Sequence, residues 1–278
     1  MIYKYCFLFP MSNKKYYGNK VIWITGASSG IGEELAKILS QWNTRLILSS
    51  RRKEELERVK ASLILKPEDV YILPLDLSNP ESLGEKAKEA LGAFGRIDIL
   101  INNGGVSQRS LVMETSIETD RKIMEINYFS GVILTKSIMP SMIEAGGGRI
   151  VAVSSVTGKF GFPLRSAYSA SKHAMYGFYE TVEAEYFDKG IRTTMVCPGR
   201  IRTNISMGAL GPDGKPQNIM DHGQEYGTPV SICAKDIING IRKNKRDIYP
   251  GGKEVLMVYF KRFLPALAYL LAKKAKRV

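Results

Sequence analysis

Short apolar runs alternate along most of this chain with longer stretches that carry an apolar residue every third or fourth position. The first run is Val21-Ile22-Trp23-Ile24-Thr25, and similar ones follow at 45–49, 70–75, 97–101, 149–153 and 193–196. Runs of this length, bounded by polar or turn-forming residues, predict buried strands. The intervening stretches predict helices at 33–40, 53–65, 81–94, 118–144, 167–188 and 229–244, with a short last strand at 247–249. Pro140 lies inside the longest of these, and a break is expected near it. Strands alternating with helices point to an α/β protein built on a doubly wound parallel sheet. The pattern stops between Arg200 and Thr228, where GALGPDGKPQN reads as loop. A loop that long inside a compact domain is functional or disordered. One domain is therefore expected over 19–253, preceded by a disordered extension at 1–18 and followed by an apolar and basic segment at 254–278.

Composition narrows the classes. Three cysteines, Cys6, Cys197 and Cys233, give no disulfide framework and suggest a reducing, cytoplasmic setting. Two histidines, His173 and His222, rule out a histidine-rich metal site, and no metal is expected. The N-terminal MIYKYCFLFP is apolar but shows no small-residue cleavage site, so it does not read as a signal peptide. Either it is an extension or translation starts at Met11. The formal charge is +13, but eleven Lys/Arg against two acids fall after position 241. Charge so localised argues against a nucleic-acid-binding domain.

The chemistry-bearing residues are concentrated in SSVTGKFGFPLRSAYSASK, residues 154–172. Tyr168 and Lys172 stand four apart, neighbours on one helix face. An ammonium beside a phenol lowers its pKa and suits it to proton exchange. Ser155 closes the run before this helix, where a hydroxyl can hold the same substrate oxygen. A second candidate is the turn after the first strand, Gly26-Ala27-Ser28-Ser29-Gly30-Ile31-Gly32. Glycines there let a pyrophosphate approach the backbone at a helix N-terminus. The next strand ends in Ser49-Ser50-Arg51-Arg52 with no acid before Glu54. Guanidinium and hydroxyl groups at that place fit a 2′-phosphate, so the expected cofactor is NADP(H); Arg52 also reads as a solvated start of the next helix.

Taken together these pieces resemble the short-chain dehydrogenase/reductase family over roughly residues 19–250, and the later part of the chain resembles its member 7 group. The matching pieces run in family order from the glycine-rich turn through Asp76, Asn102-Asn103-Gly104-Gly105, Asn127, Ser155, Tyr168 with Lys172, and Pro198-Gly199 followed by Thr203. Gly105 departs from the alanine usual there. The resemblance implies a Rossmann-type sheet of about seven strands with helices on both faces. It implies a catalytic tetrad of Asn127, Ser155, Tyr168 and Lys172, in which Lys172 also binds the nicotinamide ribose and Asn127 holds a water leading to solvent. Read from the sequence alone, Asn127 is a helix residue facing water. By the same resemblance Asp76 with Leu77 flanks the adenine and Asn103, Gly104 and Gly105 line the adenosine side. Pro198, Gly199, Ile201 and Thr203 reach the nicotinamide. The substrate is expected between Ser107, Gln108, Phe162, Leu164, Arg165, Ile205 and Met207, a mostly apolar or neutral set, with 200–228 as the substrate loop.

The implied activity is interconversion of a carbonyl and a secondary alcohol on an apolar or lipid-like small molecule, in a homodimer or homotetramer paired through the helices of Asn127 and Tyr168. A 3-oxoacyl-(acyl carrier protein) reductase is an alternative within the same chemistry, and a dinucleotide-binding regulator without turnover is one outside it. Gly26-Ala27-Ser28-Ser29-Gly30 also fits the nucleophile elbow of serine hydrolases, with His222 downstream. That reading leaves Tyr168 and Lys172 unexplained. In the last segment Lys261-Arg262 and Pro265 interrupt the apolar residues, so it is too broken to span a membrane. It reads as packed on the protein or another subunit, as lying on a membrane surface, or as an apolar helix that caps the substrate pocket and takes ligand from the membrane.

Overall fold

A computed structural model describes residues 12–274. Seven strands form one parallel sheet in the order β3-β2-β1-β4-β5-β6-β7. They are β1 (Val21–Thr25), β2 (Arg45–Ser50), β3 (Val70–Pro74), β4 (Ile99–Asn102), β5 (Gly148–Val153), β6 (Ile191–Val196) and β7 (Asp247–Ile248). The helices are α1 (Asn13–Tyr17), α2 (Gly30–Leu39), α3 (Lys53–Ala61), α4 (Pro80–Phe94), α5 (Ile117–Met124), α6 (Ser130–Glu144), α7 (Ser166–Tyr186), α8 (His222–Glu225), α9 (Val230–Arg242), α10 (Leu256–Phe263) and α11 (Pro265–Lys274).

Successive strand residues point to opposite faces, and both faces are covered. In β1, Ile22 and Ile24 enter one core with Leu35, Leu56 and Ile237 from α2, α3 and α9. Val21 and Trp23 enter the other with Leu83, Leu134 and Met175 from α4, α6 and α7. A strand buried on both sides needs an unbroken apolar run, which is why VIWI and ILI read so clearly. The strand order reverses beside β1, which pairs with β2 on one side and β4 on the other. A crevice opens there at the carboxyl ends of the strands.

Three expectations change. Residues 1–11 lie outside the described residues, but 12–18 are ordered. Ser12 caps α1, and Tyr17 is buried, stacks on Trp42 and donates to the Ile238 carbonyl at 2.7 Å. The interruption of the long helix falls at Glu125–Phe129, a wider π-helical stretch, and not at Pro140. Pro140 is exposed, so the carbonyl its missing N–H leaves unpaired can meet water. The substrate loop holds α8 and a 3₁₀ turn at Asn204–Ser206, so it is structured rather than disordered.

Candidate active site

The turn from β1 into α2 is built for close approach. Gly26 and Gly30 have φ of 65° and 57°, a region where a side chain is strained. A Cβ on Gly32 would stand 2.3 Å from the Gly26 carbonyl oxygen, and one on Gly26 would stand 2.8 Å from Gly104 Cα. Asn103 holds this packing. Its Nδ2 donates to the carbonyls of Thr25 (3.0 Å) and Gly26 (3.2 Å), while Thr25 Oγ1 accepts from the Asn103 and Gly104 amides, each at 3.0 Å. Gly104 lies against Leu77. Ser29 leaves the α2 N-terminus without a side-chain cap, so its first amides can meet an anion. The Ser28 carbonyl accepts from Arg58 Nη2 at 3.1 Å, and Arg58 also pairs with Glu33 at 3.0 Å. Nothing in the sequence signals this brace, because Arg58 and Glu33 belong to different helices.

Arg51 and Arg52 sit exposed beyond β2, and neither guanidinium has a partner among the described residues. The Ser50 hydroxyl donates to the Arg52 carbonyl at 3.4 Å. Asp76 is exposed and accepts from the amide and hydroxyl of Ser78 at 2.9 and 2.7 Å.

The second half of the site is made by β5 and α7. Ser154 Oγ donates to the Lys172 carbonyl at 3.0 Å, and Lys172 Nζ donates to the Val153 carbonyl at 2.8 Å, so strand end and helix are stitched together. One helical turn separates Tyr168 from Lys172; both are buried, with Nζ 5.8 Å from the phenol ring centroid. Burial raises the Tyr168 pKa, while a hydrogen bond with Ser155 and the charge of Arg165 pull it down. The sequence predicts that Lys172 lowers the phenol pKa. In the protein as it stands desolvation wins, because Lys172 is turned to a backbone carbonyl. Burial takes Lys172 itself down to about 8. Ser155 Oγ accepts from the amide (3.2 Å) and the hydroxyl (3.0 Å) of Thr157, which leaves its own proton free for Tyr168. Thr157 carries no sequence signal, because a threonine two positions on looks like any turn residue.

Asn127 lies in the π-helical stretch and is 4% exposed, not facing water. Its Oδ1 accepts from the Val106 amide at 2.8 Å, and its Nδ2 donates to the Val106 carbonyl at 3.0 Å and to Ser171 Oγ at 3.1 Å. It thus ties the segment after β4 to α7. Gly105 stands beside this clamp: a Cβ there would be 2.9 Å from Asn127 Oδ1 and 3.5 Å from Lys172 Nζ. The departure from alanine therefore falls where a methyl group would crowd this clamp.

A single cleft joins the two halves. Its walls include Ile31, Asn103, Gly105, Ser155, Tyr168, Lys172, Pro198, Gly199, Ile201 and Thr203. Of the expected substrate residues, Ser107, Phe162, Arg165 and Ile205 line it. Gln108, Leu164 and Met207 are not among its walls. Gln108 is fully buried, its amide donating to Ser110, Thr115 and Ser166 and its oxygen accepting from the Tyr168 amide at 3.1 Å. It holds the start of α7 instead. Arg165 is half-buried, bonded to the Gln108 carbonyl, and shares Asp221 with Arg109 at 3.5 and 2.7 Å. Asp221 thereby fastens the loop after β6 over the cleft. His222 is exposed against Tyr226 and has no hydrogen bond to Ser28, so the hydrolase reading has no geometry behind it. Glu254 and Met257 also line the cleft, where sequence reasoning did not place them. Glu254 Oε1 accepts from the Arg200 amide at 2.7 Å, across 54 positions of chain that no local pattern links.

Residues 20–210 match the family described as short chain dehydrogenase. The chain is 42% identical to a Drosophila melanogaster dehydrogenase/reductase SDR family protein 7-like over 93% of this chain and 81% of that one. It is 41% identical to human dehydrogenase/reductase SDR family member 7, over 91% and 77% of the two chains. Among solved structures, a short-chain dehydrogenase from Streptomyces avermitilis superposes with a TM-score of 0.79 at 28% identity, covering 91% of this chain and 96% of that one.

Proposed function

The chain belongs to the short-chain dehydrogenase/reductase family of oxidoreductases, and from that premise we propose that it is an NADP(H)-dependent enzyme interconverting a carbonyl and a secondary alcohol on an apolar or lipid-like small molecule. The observation that carries this reading is the meeting of Ser155 and Tyr168 in one cleft, with the Lys172 ammonium behind them and the glycine-rich turn's Ile31 and Asn103 in the same walls. NADPH, when bound, supplies the hydride. Tyr168 gives its proton to the carbonyl oxygen, and Ser155 holds that oxygen by a hydrogen bond as negative charge develops. A phenol whose pKa is raised by burial keeps its proton at neutral pH and so stands ready as the acid of the reductive direction. Lys172 lies next in line to restore the proton. The glycine-rich turn and the open end of α2 fit a pyrophosphate, and the unpartnered Arg51 and Arg52 fit the phosphate that distinguishes NADP(H). Val153, Val156, Phe160, Phe162 and Met257 make the substrate side apolar.

Two features of the surroundings belong to the same reading. Met139, Ile143, Phe178 and Val182 line an apolar groove between α6 and α7, with Phe129 exposed nearby, and this supports a homo-oligomer. Cys197 and Cys233 are buried thiols, which supports a reducing, cytoplasmic compartment.

The test is Tyr168→Phe. The variant should bind NADPH as tightly as the wild type, and both should bind NADH more weakly, by fluorescence titration. Its turnover of a panel of apolar ketones and aldehydes should fall at least about a thousandfold, within the range of acid–base contributions. Near-normal kcat would remove Tyr168 from the chemistry, and equal affinity for NADH would remove the cofactor preference.

A further inference from the structure

The last two helices leave their apolar residues in the open. α10 buries no residue, and α11 buries only Ala268. Phe263 is 73% exposed, Leu264 53%, Leu267 41% and Leu270 51%. α10 packs in part, with Met257 in the cleft wall and Tyr259 against Tyr249, whereas the apolar residues of α11 stay largely uncovered among the described residues. α10 and α11 lean on each other, braced by Lys261, whose Nζ donates to Tyr269 Oη at 2.6 Å. Arg262, Lys273 and Lys274 are exposed, and no acid occurs anywhere from Val255 to the end of the chain. No helix among the described residues is long and apolar enough to cross a membrane.

We propose that α10 and α11 form a docking surface for an anionic lipid bilayer, and that docking sets the mouth of the catalytic cleft against the membrane. Charge decides between the occupants. A second copy seated on this patch by a two-fold axis would bring basic residues against the same basic residues, with no acid to pair them. An anionic bilayer offers apolar depth for Phe263, Leu264, Leu267 and Leu270 and opposite charge for the cations. The surface is also fixed to the site. Glu254, two residues before α10, accepts the Arg200 and Gly252 amides at 2.7 and 3.0 Å, and Glu254 and Met257 line the cleft that holds Tyr168. The loop after β6 carries exposed apolar residues as well: Ile205 lines the cleft, and Ile219, Met220 and Tyr226 follow on the same loop. A ketone or secondary alcohol dissolved in the bilayer can then enter without crossing water. This last step rests on the reductase reading above; the docking does not.

The experiment uses the full chain with vesicles of phosphatidylcholine, alone or mixed with phosphatidylserine, at low and high salt. Flotation should show binding only to the mixed vesicles, released by salt. The triple variant Arg262→Gln, Lys273→Gln, Lys274→Gln should bind on the order of a hundredfold more weakly. The variant Leu267→Glu, Leu270→Glu should lose binding, and circular dichroism checks that it stays folded. Turnover of a long-chain ketone dissolved in the vesicles should rise on docking, while turnover of a short water-soluble ketone should not change. No flotation of the wild type on mixed vesicles overturns the docking. So does a wild-type oligomer that Leu267→Glu, Leu270→Glu converts to monomer without vesicle binding, which would place a second copy on the patch. Binding that survives both variants and disappears on deletion of residues 1–11 also overturns it. If neither ketone is turned over, the reductase reading fails while flotation still decides the docking.

Discussion

Tyr168 and Lys172 titrate in opposite senses for one reason: burial disfavours whichever form carries charge. The sign has two measurable consequences. Lys172, at about 8, loses its proton as the pH climbs through that value. The reductive kcat/KM should be level below about pH 8 and fall above it, and a profile flat through pH 10 would take Lys172 out of the proton path. For stability, the unfolded chain binds more protons than the folded one between about 8 and 10.5, so the burden of burying Lys172 is full below pH 8 and fades as pH rises. The advantage of Lys172→Met over wild type in urea unfolding should accordingly shrink between pH 7 and 10. Thr157 gives a further outcome. Thr157→Val removes the hydroxyl that donates to Ser155 Oγ but keeps the amide that does the same. As a positioning residue Thr157 should affect kcat about tenfold with KM and unfolding midpoint little changed, and Thr157→Ser should restore the rate; a midpoint that falls in step with kcat would point to packing alone.

At the scale of elements, the site depends on how closely three pieces of backbone approach one another. Gly32 in α2, the turn at Gly26 and the Asn103-Gly104 segment just after β4 leave no room for a methyl group. Gly32→Ala is therefore expected to destabilise the fold by about 1–3 kcal/mol, read from denaturant unfolding, and to weaken NADPH binding together with it. Unchanged stability and affinity would mean the turn is looser than described. This crowding is legible in the sequence, since glycines spaced so closely between a strand and a helix mark a place where backbone must meet backbone. The π-helical stretch at Glu125–Phe129 is not. What fixes Asn127 there are bonds to Val106 and Ser171, on segments 21 and 44 positions away, and helical periodicity carries no trace of them. The same holds for Gln108, whose four bonds make it an interior brace where a polar residue near a glycine pair suggests a ligand contact.

For the whole molecule, the strands and the parallel sheet are legible because a strand covered on both faces writes its burial into consecutive apolar residues; the order β3-β2-β1-β4-β5-β6-β7 is not, since more than one doubly wound order fits the same alternation. The end of the chain is harder to read. An apolar helix has the same composition whether its partner is its own core, a second subunit or lipid; exposure sets only the first apart, and the charges around the face distinguish the other two. Assembly through the other exposed face, along α6 and α7, has its own outcome. Light scattering at micromolar concentration should give a dimer or tetramer, and Phe129→Asp, which charges a 45% exposed ring that packs on Tyr128, itself against Phe178 of the groove, should shift it to monomer. A monomeric wild type would count against pairing.

The sheet also finishes abruptly. On one side its last strand, β7, is only two residues long; on the other, β3 ends at Pro74 and its Val70 carbonyl is already taken by Lys60 Nζ at 2.7 Å. An open edge is where a foreign strand can add and start a fibril, and short, proline-ended or lysine-guarded edges discourage that. Parallel sheets assemble from distant segments and are slow to complete, so strands stay unpaired for long during folding. Once the sheet is complete, both margins are poor templates for aggregation among the described residues.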